Sequence, residues 1–293
     1  MNVYPLSDLN EAVLSDILIL LPSLADKHYP DSGMYRYLNN LVKICINNIY
    51  GEGGKQSALF NPLGEIKLPY YGMGAITSKE LFGLDEIIIF SFYLKNKDVY
   101  KNVYDLGANI GLHSIILCKL GFNVTAYEPD PVHLSQLKKN LVENEVDKKI
   151  TVIPKAVSSD DGIMEFTRVE GNTTGSHLSG SKDSPYGKLV KFNVEVECFK
   201  KILKRADLIK IDVEGHEAVL ILATKKNDYD NTDLILEVGS KDNAQEILKH
   251  VYNIGVNMFS QKKAWRKVTE LHDMPFSYKD GSLFITNKNS MPW

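Results

Sequence analysis

The feature that most restricts this chain is an alternation that runs through its C-terminal two thirds. Short apolar runs at Asn102–Leu106, Asn123–Tyr127, 150–154, 208–213 and 234–238 are separated by turns and stretches with helical spacing. Each run is four to six residues of mostly branched or aromatic side chains, the composition of a strand buried on both faces. After Asp130 come Pro131 and then Leu134, Leu137, Leu141 and Val142. An acidic N-cap, proline at the first helical position and apolar residues three or four apart all predict a helix. Leu112, Ile115 and Ile116 continue Gly111 in the same manner up to Gly121, a glycine stop. Strand, helix, strand in succession requires right-handed crossovers. The predicted class is therefore α/β: a Rossmann-like, mostly parallel sheet with helices on both faces.

Two segments break the alternation. Residues 1–75 read as an N-terminal elaboration: helical stretches carrying Leu9, Val13, Ile17 and Leu20, then Tyr37, Leu41, Ile44 and Ile49, followed by a glycine-rich connector. A third apolar helix is expected at 78–94, inside a main domain of residues 76–293. The other exception is 170–187, rich in glycine and serine, which predicts a surface flap. Beyond it, Phe192, Val194 and Val196 alternate with polar residues as in a half-exposed strand.

Composition narrows the function. The 293 residues are 44% hydrophobic and 24% charged, and 34 basic residues stand against 37 acidic. That balance argues against a general nucleic-acid binder. Cys45, Cys118 and Cys198 lie too far apart for a disulfide framework or a zinc site. The N-terminus lacks the basic start of a secretion signal, and the apolar stretch 12–21 contains Asp16 and falls short of the roughly 20 residues of a membrane span. A cytoplasmic protein is expected.

The chemistry concentrates after the first run, in Val103-Tyr-Asp-Leu-Gly-Ala-Asn-Ile-Gly111. A strand ends in Asp105, and a turn built on Gly107, Ala108, Asn109 and Gly111 opens a helix. Glu128-Pro129 closes the next strand, at about the 20-residue distance where an acid can hold the hydroxyls of a ribose. A dinucleotide site wants a glycine where Asn109 stands. Asp105 would repel a pyrophosphate but attract a cation. S-adenosylmethionine, with a sulfonium, an ammonium, a ribose and no phosphate, meets that description. The rival readings are an NAD(P)-dependent oxidoreductase and a non-catalytic scaffold that keeps the sheet.

Residues 105–111 with Ala126-Tyr-Glu-Pro-Asp-Pro131 resemble motif I and the following acid of class I S-adenosylmethionine-dependent methyltransferases. Ile209-Lys-Ile-Asp-Val-Glu-Gly-His-Glu217 closely resembles the K-I-D-V-E-G-x-E stretch of the FkbM family. Gly83-Leu-Asp-Glu-Ile-Ile and Pro154-Lys-Ala-Val157 also fit, so the resemblance spans about residues 70–287. It implies a seven-stranded, mostly parallel sheet with an antiparallel last strand at 281–286. It also implies methyl transfer to a hydroxyl oxygen of a sugar, glycolipid, glycan or natural-product acceptor. By matching positions, Asp105, Gly107, Ala108, Asn109 and Gly111 line the methionine end of the cofactor. Glu128 and Pro129 take the ribose, and Ala156 or Val157 lies near the adenine.

Asp212, Glu214, His216 and Glu217 follow the fourth run, at the strand end where ligands bind in open parallel sheets. Asp212 is a candidate for the cofactor's ammonium, and His216 or Glu214 for the base that takes the acceptor's proton. A shared metal between Asp212 and Glu237, on adjacent strands, is a weaker alternative. Tyr70, Tyr71, His177, Tyr186, Trp265 and His272 fall in expected loops, and the flap with His177 is a candidate lid. The acceptor's identity and the oligomeric state leave no mark in the sequence.

Overall fold

A computed structural model describes residues 6–50, 56–73, 76–170, 175–181 and 188–293. In chain order it contains helix α1 (Leu6–Leu20), α2 (Gly33–Tyr50), the hairpin β1 (Ser57–Phe60) and β2 (Gly64–Lys67), and α3 (Leu84–Lys95). The alternation follows: β3 (Asn102–Leu106), α4 (Leu112–Lys119), β4 (Asn123–Tyr127), α5 (Pro131–Glu143) and β5 (Ile150–Ile153). Next come β6 (Ala156–Ser158), β7 (Gly162–Glu170), β8 (His177–Leu178), β9 (Lys188–Cys198) and α6 (Phe199–Leu203). The chain closes with β10 (Leu208–Ile211), α7 (Glu217–Leu222), β11 (Asp233–Leu236), α8 (Lys241–Ile254), β12 (Asn257–Ser260), β13 (Arg266–Lys267) and β14 (Leu283–Thr286).

The main sheet runs β13-β12-β14-β11-β10-β3-β4-β5. From β11 to β5 the pairings are parallel, and β14 is antiparallel to both neighbours. This is the class I methyltransferase arrangement. The expected seven strands are present, and the two-residue β13 adds an eighth at the edge. Asp130 caps α5 as its spacing predicts, its carboxylate accepting from Val132 N at 2.8 Å.

Period-two alternation divides the sheet's side chains between two cores. Val103, Val124, Leu208, Ile235 and Phe284 pack under α1 to α5, whereas Ile209, Ile211, Leu234, Leu236 and Ile285 pack under α6 to α8. Each such side chain contributes about 1.5–3 kcal/mol on burial. Helix α3 explains the N-terminal elaboration. Leu84, Ile87, Ile88, Ile89, Phe90, Phe92 and Tyr93 are all buried, so it is apolar on every side and must be covered twice. The sheet covers one side and α1 and α2 the other, within a single core.

The expected helix at 78–94 is broken in two. Residues Ser78–Phe82 form a 3-10 turn capped by Thr77 and Glu80, and extended Gly83 restarts the chain as α3. The faces of α1 and α2 also differ from the sequence reading. Leu14, Ile17, Leu18 and, on α2, Leu38, Val42, Cys45 and Ile46 are buried, while Leu9, Leu20, Tyr37 and Ile44 are exposed. Both helices carry two overlapping apolar stripes, and only the position of α3 chooses between them.

A second sheet, ordered β6-β9-β7-β8, was foreshadowed only by the alternation at 192–196. Its hairpin pairs Gly162 with Val196 through Glu170 with Lys188. Part of the expected flap belongs to it: β8 pairs with β7, and Ser176, His177 and Leu178 are buried rather than on a surface loop. Residues 171–174 and 182–187, with Tyr186, lie outside the described residues. Trp265 is buried too, donating from Nε1 to His28 Nδ1 at 2.9 Å, so it is core and not a loop contact. Among the described residues no helix is long and apolar enough to cross a membrane.

Candidate active site

The turn after β3 is shaped by close approach. Gly107 has φ +79°, and a Cβ there would lie 1.8 Å from the Asp212 carbonyl oxygen. Only glycine lets the turn lie against the end of β10. Its N–H and that of Ala108 both donate to Tyr127 O, at 3.0 and 2.9 Å. Asn109 follows at φ 52°, a left-handed conformation that asparagine tolerates better than most residues. Its N–H thereby faces Glu128 and donates to Oε2 at 2.8 Å. The Asp130 N–H donates to the other carboxylate oxygen, also at 2.8 Å.

Glu128 thus sits on the floor of a cleft that is open to solvent. Burial pushes its carboxyl up to about 8, even though the two N–H groups pull the other way. Gly107, Asn109, Pro129, Ala156, Val157, Asp212 and Glu214 also line this cleft. The structure therefore brings most of the expected cofactor residues together. Ala108 lines a smaller adjoining cleft. Gly111 does not reach the wall; at φ +91° it starts α4, and a Cβ there would press on Leu137 at 3.1 Å. Asn109 Oδ1 and His133 Nε2 are buried beside the cleft with no hydrogen-bond partner among the described residues.

Among the lining residues that the sequence did not single out, His133 comes from α5, and Phe166 of β7 and Leu178 of β8 form an apolar roof in one cluster with Ala156. The roof is tied down by Arg168, whose Nε and Nη2 donate to the two oxygens of fully buried Asp130, and whose guanidinium lies 5.0 Å over Phe192. Asp130 so joins the start of α5 to the second sheet.

Asp105 is not on the cleft wall. It is fully buried beneath the turn, accepts from Ser114 Oγ at 2.6 Å, and lies 3.7 Å from Lys210 Nζ, directly across the register from β10. Asp212, 30% exposed, stands in the cleft and is 3.4 Å from the same ammonium. Burial pushes Lys210 down, but Asp212, Asp105, Glu86 and Glu237 together hold it above the usual lysine range. The Lys210 ammonium thus stands beside Asp212 at the position considered for a metal with Glu237. Among the described residues no three His, Cys, Asp or Glu side chains are arranged to hold a metal. Lys210 lies in the otherwise apolar run Leu208–Ile211, and Glu86 within Leu84–Lys95. A charge inside a buried element was the signal that sequence reading passed over.

His216 does not face the cofactor cleft. Its Nε2 lies 2.8 Å from Ser158 Oγ and its Nδ1 2.9 Å from Ser181 Oγ, so both nitrogens are engaged. Burial pushes it down to about 4, which leaves it neutral at physiological pH. It borders a separate groove with Ser179, Asn243 and Glu246. Its chain neighbour Glu214 takes φ 54° and turns into the cleft instead. Glu217 staples the turn, its Oε1 accepting from Val213 N and Gly215 N at 3.2 and 3.0 Å.

Residues 105–263 match the Methyltransferase FkbM domain. The chain is 26% identical to Methyltransferase sdnD of Sordaria araneosa over 205 residues, covering 59% of this chain and 77% of that protein. It is similar to the crystal structure of Methyltransferase FkbM from Methylobacillus flagellatus KT, with 15% identity and a TM-score of 0.37. That match covers 63% of this chain and spans 43% of the other. A SAM-dependent methyltransferase from Agrobacterium tumefaciens is similar at 13% identity and a TM-score of 0.36, covering 70% of this chain and 62% of that one. The domain match takes in more than half of the chain and both acid-bearing turns, and on that ground the chain belongs to the FkbM methyltransferase family.

Proposed function

We propose that the protein is an S-adenosylmethionine-dependent O-methyltransferase acting on a hydroxyl of a carbohydrate, glycolipid or secondary-metabolite acceptor. The observation that carries this reading is the Glu128 carboxyl, buried on the cleft floor with one backbone N–H on each oxygen. Each oxygen has a remaining lone pair, and a ribose diol supplies two donors to a buried carboxylate that burial alone disfavours. The other residues fit the same ligand. Asn109 Oδ1 and His133 Nε2 are buried polar atoms in need of partners, and Ala156, Val157, Phe166 and Leu178 offer an apolar slot for a base. Asp212 and Glu214 place negative charge at the end of the cleft beside Gly107 and Asn109, where a sulfonium and an ammonium would be held. The same carboxylates disfavour the pyrophosphate of a dinucleotide.

When bound, the donor supplies an electrophilic methyl group on a positively charged sulfur. The chain's part is mainly positioning, which can contribute up to about 7–11 kcal/mol to a two-substrate reaction. Gly107 lets the turn close on β10, Glu128 fixes the ribose, and the roof held by Arg168 excludes water from the base. The test is thermal shift and calorimetry with S-adenosylhomocysteine and with NAD. A homocysteine ligand at 100 times its Kd stabilises the fold by about 2.7 kcal/mol, and NAD leaves it unchanged. Stabilisation by NAD alone would reverse the assignment. Radiolabelled methyl transfer onto a panel of sugars and glycolipids then identifies the acceptor.

A further inference from the structure

Beside the cofactor cleft lies a cluster of charges that the reading above does not use. Asp105 on β3, Glu86 on α3, Asp212 at the end of β10 and Glu237 just beyond β11 all act on the single ammonium of Lys210. They meet because Asp105 and Lys210 pair in register, and because the Glu237 N–H donates to Ile211 O at 3.3 Å, which sets Glu237 level with Asp212. A small cleft between α3 and the ends of β10 and β11 is walled by Glu86, Ile89, His113, Lys210, Glu237 and Ser282. It shares Glu86, His113 and Lys210 with a second small cleft that reaches Gly107, Asn109 and Asp212. The cluster therefore adjoins the end of the cofactor site assigned to the sulfonium.

The two outer carboxyls differ. Glu86 Oε2 lies 2.8 Å from His113 Nε2, whose Nδ1 lies 3.1 Å from the buried Tyr93 hydroxyl. Burial opposes its charge, but His113 and Lys210 outweigh that and hold Glu86 below the usual carboxylate range. Glu237 has no such histidine. Burial, then Asp212, Glu86 and Glu214, push it well above the usual range, and Lys210 does not offset them. Four carboxyls around one ammonium carry surplus negative charge, and a proton on one of them relieves it.

Resting on the methyl-donor reading, we propose that this small cleft seats the acceptor's reacting hydroxyl and that Glu237 takes its proton, armed by the arrival of positive charge beside Asp212. A bound sulfonium replaces the proton as the charge that balances the cluster, so Glu237 releases it and becomes a carboxylate. In the transfer, the acceptor's O–H bond breaks with its proton passing to Glu237, and an oxygen lone pair forms the new bond to the methyl carbon. The electron pair of the broken carbon–sulfur bond stays on sulfur. Glu86 remains ionised, and Lys210 holds both carboxylates across the cleft.

Calorimetry in buffers of different ionisation heat counts the protons released on binding, with S-adenosylmethionine and S-adenosylhomocysteine as probes. The two differ in the charge on sulfur. Near pH 7 the methionine ligand should release up to about one proton more than the homocysteine ligand, and its relative affinity should rise by up to about tenfold per pH unit. In Glu237→Gln, which mimics the protonated carboxyl, both ligands should still bind and the difference should vanish; Glu237→Ala is judged by the same count. Equal release from the unmodified protein, or a difference that survives both substitutions, overturns this inference and leaves the donor reading intact. Failure of both ligands to bind overturns the donor reading itself.

Discussion

Two turns of this molecule look alike in sequence and act differently. After β3 and after β10 an acid closes a strand, a glycine follows, and a helix begins. In the first, Asp105 lies on the inward side of its strand, fully buried, neutralised by Lys210 and tied to Ser114. Gly107 and Asn109 of that turn line the cleft, and Ala108 lines the smaller one beside it. In the second, Asp212 extends past the strand into the cleft, and the inward position belongs to Lys210. The first turn shapes the site with its backbone and the second charges it with side chains. Register separates the two acids: Asp105 pairs with Lys210 inside the sheet, whereas Asp212 comes two residues later, past the end of β10.

The sharpest way to break this contrast is Gly107→Ala. The added Cβ meets the Asp212 carbonyl at 1.8 Å in a left-handed conformation, so denaturant unfolding should register a loss above about 4 kcal/mol. A stable variant that still binds S-adenosylhomocysteine would sink the close-approach argument. Next in size is Asp105→Asn, which strips a buried partner from Lys210 and should cost about 3 kcal/mol of stability. Asp212→Asn should leave stability within about 1 kcal/mol while weakening S-adenosylmethionine by about 10–100-fold; equal effects from the two substitutions would erase the distinction between shaping and charging.

Glu128→Gln should weaken the same ligand by about 10–100-fold, read by calorimetry. It should also change the pH profile. Burial pushes the folded carboxyl up to about 8 from its ordinary 4.5, so the folded state keeps a proton that the unfolded chain has lost. Stability from this group is present below about pH 4.5 and falls as pH rises to about 8. The variant's Tm should decline less over that window. The smallest effect belongs to His216→Gln. Loss of the serine contacts should cost about 1 kcal/mol, with S-adenosylhomocysteine affinity unchanged. A large fall in affinity would return His216 to the cleft.

Much of the site was legible because its demands are local. Gly107 and Gly111 mark positive φ, Asp130-Pro131 marks a helix start, and Glu128 follows at the distance a ribose-binding acid requires. His216 misled because it sits one residue past Gly215. The φ of +100° there turns its ring toward Ser158 and Ser181 while Glu214 turns the other way. Leu9, Leu20, Tyr37 and Ile44 misled because an amphipathic pattern gives a period, not the neighbour that chooses the buried stripe.

The strand-helix alternation from β3 to β5, the glycine turn, its acid partner and the family resemblance could all be read along the chain. Those follow from propensity, periodicity and spacing within about 20 residues. Packing settled which acids reach the cleft, that Lys210 gathers Asp105, Asp212, Glu86 and Glu237, and that β6 to β9 form a second sheet beside the cleft. These depend on strand register and on contacts between distant segments. A side chain's charge and exposure are set by what packs against it, and no local pattern records that.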